Sequence, residues 1–232
     1  MRRAITVLAL AAGLLGGCAP GNPGLYIGNV VAPDDTCAYA ANSSALLIGT
    51  LDVAVPNNGY DATFRFVNQL VNLSQTGSAG FPPMSDPNVI LVREAEVEIQ
   101  DIGGNPLAFA GGLPNPFTVP VGAVAVPSGD GMSSGESVGL VQIVPPAYTA
   151  DLAGAAGTDA QIVVSVTAIG RTLGDAEVVS SPFTHTIQLC SGCLVPACPV
   201  TDSEGELICA PSCTPGQDSV HISCDPTCSA GR

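Results

Sequence analysis

Nine cysteines are the residues of this chain best equipped for chemistry. Seven crowd the C-terminus: Cys190, Cys193, Cys198, Cys209, Cys213, Cys224 and Cys228. Cys37 stands alone upstream, and Cys18 ends an apolar N-terminal run. Cys209-Ala-Pro-Ser-Cys213 recurs fifteen residues later as Cys224-Asp-Pro-Thr-Cys228, and Cys198 keeps the same spacing from Cys213. Such turn-rich repeats lack an apolar core, so cross-links must hold them; each disulfide contributes about 2–4 kcal/mol. With Cys18 set aside, eight cysteines remain, an even number that reads as a disulfide framework in an exported chain. Eight cysteines permit about 105 pairings, so spacing does not give the connectivity. The pairing expected for Cys37 is with Cys190 or Cys193, stapling an early strand to a late one. The competing chemistry is zinc. Cys190-Ser-Gly-Cys193 has ligand spacing, and Cys209, Cys213, His221 and Cys224 could complete a tetrahedral site. An oxidising compartment favours the disulfides, and no metal site is expected.

Catalytic groups are sparse. The two histidines are His185 and His221. His185 shares the parity of Phe183, Ile187 and Leu189, which directs it toward an apolar side, and the expectation is a hydrogen-bonded histidine near a sheet edge. A general base needs a nucleophile and an orienting carboxylate beside it. The chain has no Gly-x-Ser-x-Gly, no His-Glu-x-x-His and no phosphate-cradling glycine loop. Glu94, Glu96 and Glu98 project from one side of one strand. Paired carboxylates can work as acid and base where their environments differ, so a glycan hydrolase is the enzymatic alternative. Three in a row on a wet face more often solvate the sheet and oppose aggregation. Acidic loops at Asp34-Asp35 and Gly129-Asp130-Gly131 lack the ligand spacing of a calcium loop. The expectation is therefore no catalytic residue and no cofactor.

The elements that carry these residues are strands. From about 25 to 190 the pattern alternates with period two. Ala95, Val97 and Ile99 oppose Glu94, Glu96 and Glu98; Ile162, Val164, Val166 and Ala168 oppose Val163, Ser165 and Thr167. Phe64 and Phe66 flank Arg65, and Leu51, Val53 and Val55 oppose Thr50, Asp52 and Ala54. Turn signals separate the runs: Pro56-Asn57-Asn58-Gly59, Gly103-Gly104-Asn105-Pro106, Gly111-Gly112, Pro127 to Gly131, and Gly170. Short strands at this spacing predict an all-β antiparallel sandwich, with an immunoglobulin-like topology left open. Ala147 to Ala153 predicts one helical turn crossing between sheets. Trp is absent and aromatics make up 4%, so Val, Leu, Ile and Ala must form the core.

Ahead of the strands lies Met1-Arg2-Arg3, an apolar run from Ala4 to Ala12, and Gly13-Leu14-Leu15-Gly16-Gly17-Cys18. Basic, apolar and small-residue regions in this order read as an export signal. The apolar run is shorter than the ~20 residues of a spanning helix. Leu15-Gly16-Gly17-Cys18 resembles the lipobox of bacterial lipoproteins. The resemblance implies cleavage before Cys18, a diacylglycerol on its thiol and a lipid anchor to the membrane. Ala19, where Asp would favour inner-membrane retention, implies the outer membrane. The exported part resembles uncharacterised envelope lipoproteins only. The expected organisation is a signal peptide at 1–17, an acylated cysteine and linker at 18–24, the sandwich at 25–190 and a cysteine-rich tail at 191–232.

Charge narrows the partners. Six basic residues stand against 20 acids, a formal charge of −14. Loss of Arg2 and Arg3 with the leader makes the balance more acidic still. Phosphate backbones are repelled, so nucleic acid is excluded as a partner. An anionic membrane also repels the chain, so lipid rather than charge must hold it there. The reading is a non-enzymatic surface lipoprotein with a structural, adhesive or binding role toward an envelope protein or polysaccharide.

Overall fold

The computed structural model describes residues 24–34, 36–55, 57–73, 85–155, 160–194, 200–201, 207–208, 213–214 and 216–218. Cys18, Cys198, Cys209, His221, Cys224 and Cys228 lie outside them. The strands are β1 (Leu25–Val30), β2 (Ile48–Asp52), β3 (Tyr60–Asn68), β4 (Ile90–Gln100), β5 (Phe117–Val126), β6 (Gly135–Val144), β7 (Gln161–Thr172), β8 (Glu177–Val179) and β9 (Phe183–Cys190). Two short strands, β10 (Val200–Thr201) and β11 (Leu207–Ile208), pair with each other. One helix, α1 (Pro146–Ala155), joins β6 to β7.

Two sheets face each other across an apolar core, as the alternation predicts. One sheet is ordered β1-β3-β6; the other runs β2-β9-β7-β4-β5, with β8 also on β7. Pairing is antiparallel except between β2 and β9, which run parallel. The first strands thus divide between the sheets, and the second lies alongside the last long strand. That order is compatible with an immunoglobulin-like sandwich. The core is aliphatic, built from residues such as Val97, Ile99, Val164, Val166, Ile187 and Leu189 around Tyr60, Phe64 and Phe66.

The acidic strand owes its shape to a bulge. Register shifts between Val92 and Glu94 against both neighbours. Val92 and Ala95 therefore both point inward, while Arg93 and Glu94 are both exposed. An extra residue in one strand does this without breaking the sheet. Gly170, expected to mark a turn, instead sits buried inside β7 opposite Val92. A Cβ there would stand 2.8 Å from the Leu91 carbonyl oxygen, so the bulge demands glycine. The turn comes later, where Asp175 N donates to the Thr172 carbonyl.

Helix α1 is longer than the expected turn. Pro146 opens it, where a missing N–H costs nothing. Tyr148 and Leu152, one turn apart, are both buried. The Tyr148 hydroxyl donates to the Pro114 carbonyl at 2.7 Å, and its ring stacks on Phe117. The crossing between sheets is as predicted.

Strand β2 is shorter than its sequence pattern. It stops at Asp52, and Val53 to Val55 form a turn. Asp52, expected on the wet side, is fully buried.

Candidate functional site

Two ends of the sandwich differ. Leu25 pairs with Asn68, which pairs with Gly135; this is the N-terminal end. The opposite end gathers the last residues of β2 and β9 and the first of β3. The described part of the tail docks there.

Asp52 organises that far end. Its carboxylate accepts backbone N–H groups from Ala54 at 3.0 Å, Gly192 at 2.7 Å and Leu194 at 2.8 Å. Burial works to raise its pKa, but these donors outweigh burial and hold it below the usual carboxylate range. The turn that follows β9 is thus wrapped around a buried anion. Cys190 and Cys193 close the same turn with a disulfide.

Residues 216–218 lie along the open edge of β2. Asp52 N donates to the Gly216 carbonyl and Asp218 N to the Thr50 carbonyl, each at 2.9 Å. Thr50 N returns a bond to the Asp218 carboxylate at 2.8 Å, and the Tyr60 hydroxyl donates to it at 2.7 Å. Gln217 reaches across to the other sheet: its carbonyl accepts Asp61 N at 3.0 Å, and its amide donates to the Asp61 carbonyl. Gly49 makes room, because a Cβ there would lie 2.1 Å from the Tyr60 hydroxyl. The tail therefore clasps both sheets. Cys213, just before it, is bonded to Cys37 in the β1–β2 loop.

That pairing corrects the expectation that Cys37 meets Cys190 or Cys193. Those two bond to each other, and the tail returns past β2 to bring Cys213 to Cys37. Spacing alone could not show it, because the return depends on which sheet edge the tail finds. Asp52, Tyr60, Gln217 and Asp218 carry no sequence signal. Asp52 even has the parity of a solvent-facing residue.

His185 differs from expectation in its hydrogen bonding. It lies on β9, next to the edge strand β2, whose pairing starts at the following residue, Thr186. It is 3% exposed, and Nε2 has no hydrogen-bond partner among the described residues. Burial lowers its pKa to about 4. Its ring lies 6.0 Å from that of Tyr60. Burial also raises Asp218, against the bonds from Thr50, Tyr60 and Gln217. Burial and the neighbouring Asp218 charge hold the Tyr60 phenol far above its ordinary value.

Of the donors in the zinc alternative, Cys209, His221 and Cys224 lie outside the described residues, and the described ones are committed elsewhere. The Asp52 carboxylate and the sulfurs of Cys190 and Cys193 lie within 4.8 Å of one another. The sulfurs are joined in a disulfide, which does not offer the thiolate a metal needs. Cys213 is likewise in a disulfide.

Glu94 and Glu96 are exposed, and Glu98 is half-buried, accepting a bond from the Gln100 amide. The residues across from Glu96 are Thr118 and Thr167. No acid from a neighbouring strand stands opposite it, as acid–base work would need. Glu94 lines a shallow depression with Arg93, Arg171 and Glu177. The acidic loops turn their carboxylates on themselves: Asp34 accepts Thr36 N and Ala38 N, and Asp130 accepts Met132 N and Ser133 N. Among the described residues no helix is long and apolar enough to cross a membrane. No protein-family model matches the chain, and no curated protein matches it.

Proposed function

We propose that the chain is a bacterial envelope lipoprotein, anchored by lipid on Cys18, whose sandwich does structural, adhesive or binding work rather than catalysis. The observation that carries this is Leu15-Gly16-Gly17-Cys18 closing a basic-then-apolar leader. Disulfides Cys37–Cys213 and Cys190–Cys193 support export, since such bonds persist in oxidising compartments. The acidic surface supports it too, because a chain of this charge gains nothing from an anionic bilayer and needs acyl chains to stay. Ala19 supports an outer-membrane destination. The partner in this reading is an envelope protein or polysaccharide. The arrangement of Glu96 among threonines favours a solvating role for the acidic strand over a hydrolytic one.

Fractionation of producing cells tests the reading. The protein should sediment with membranes, resist high salt and dissolve in detergent. Cys18→Ala should lose this membrane association. Wild-type protein released by salt would contradict the anchor.

A further inference from the structure

The N-terminal end of the sandwich carries four exposed apolar side chains on neighbouring loops. Val71 is 52% exposed, Leu73 59%, Met132 96% and Leu173 50%. They belong to loops that interlock at this end. Gln69 N donates to the Gly24 carbonyl, Asn72 N to Gly129, and Leu173 N to Val89. The Asn88 amide donates to the Val71 carbonyl, and Val71 and Met132 line one shallow hollow. Away from this end the large apolar side chains comparably exposed among the described residues are Ile102 at the opposite end, Leu47 and Ile48 at the start of β2, and Leu140 within β6.

The chain emerges toward Cys18 from the apolar end. Five residues separate Cys18 from Gly24, and the six Cα–Cα steps span at most about 20 Å. A lipid on Cys18 would hold this end, and not the far one, against the bilayer. Exposed Met and Leu side chains on interlocked loops suit insertion at the headgroup–acyl boundary. Charge selects the kind of surface. Arg171 is paired with Asp175 at 2.7 Å, while Asp86 and Asp130 have no salt bridge among the described residues. Anionic headgroups would be repelled.

We infer that the end bearing Val71, Leu73, Met132 and Leu173 rests on a zwitterionic lipid surface, which orients the disulfide-clasped end outward. This rests on the proposed lipid anchor. The absence of Trp makes it directly readable. Met132→Trp, Leu73→Trp and Ile102→Trp are each made in the full acylated chain. They are reconstituted into phosphatidylcholine vesicles containing a brominated phosphatidylcholine. Flotation with the vesicles is scored in the same samples. Met132→Trp and Leu73→Trp should each lose emission to the bromines, as rings at the acyl boundary would, and Ile102→Trp should be unchanged. Flotation without quenching at Met132 and Leu73, or equal quenching at all three, would overturn the docking and leave the anchor standing. Failure to float would refute the anchor and the docking together. Stronger quenching in phosphatidylglycerol vesicles would overturn the assignment to a zwitterionic surface.

Discussion

Two buried polar residues carry much of the physics, and neither is announced by its neighbours in sequence. Asp52 keeps its charge inside the protein because three backbone N–H groups point at it. Removing such an acceptor strands buried donors at about 1–3 kcal/mol each. His185 behaves in the opposite way. Among the described residues no partner stabilises its charged form, and burial holds it neutral down to about pH 4. The unfolded chain protonates it near pH 6.5. Unfolding therefore gains protons as pH falls below 6.5, and stability is lost progressively down to about pH 4. A shift of this size corresponds to roughly 3 kcal/mol. Asp218 acts in the reverse sense. Its raised folded pKa favours the protonated native form, a contribution lost as pH rises through that value. Urea unfolding of a soluble form lacking the leader and Cys18, followed from pH 7 to 4, should show the His185 loss. His185→Phe should flatten it, and an unchanged acid limb would show that another group is responsible. The parity of His185 with Ile187 and Leu189 made its inward direction legible. Its lack of a partner was not, because that depends on what β2 and β7 place around it.

Strands were the most legible elements, since alternation reports directly which side is buried. Ala95, Val97, Ile99 and the matching run in β7 face the core as read. The pattern misled where two rules competed. Gly170 looks like a turn residue, but the bulge in β4 needs a residue without a side chain opposite it. Val53 and Val55 continue an alternation that β2 itself does not, because the chain turns once Asp52 is captured. The tail was legible as cross-linked and illegible in its path. The Cys37–Cys213 bond closes a loop with a sequence separation of 176, so its loss relaxes a long constraint on the unfolded chain. Chain entropy alone sets its contribution at about 5 kcal/mol. The double variant Cys37→Ser with Cys213→Ser should lower stability by about 2–5 kcal/mol. Mass mapping of the non-reduced wild type should give a peptide joining Cys37 to Cys213. A Cys37–Cys190 or Cys37–Cys193 peptide in its place would overturn the observed connectivity.

Across the whole molecule, the two ends of the sandwich differ in build. One receives the chain from residue 24 and exposes Val71, Leu73 and Met132. The other is closed by Gln217 and Asp218, which tie the tail to both sheets. A body built this way transmits force or presents a surface without rearranging, because backbone bonds, a buried carboxylate and disulfides all cross the same end. Its net negative charge opposes self-association. In the proposed reading this body is tethered by a covalent bond to the Cys18 sulfur. Metabolic labelling with radioactive palmitate, followed by immunoprecipitation, addresses that bond directly. Wild-type protein should carry the label and Cys18→Ala should carry none. An unlabelled wild type, or equal labelling of both, would contradict the account.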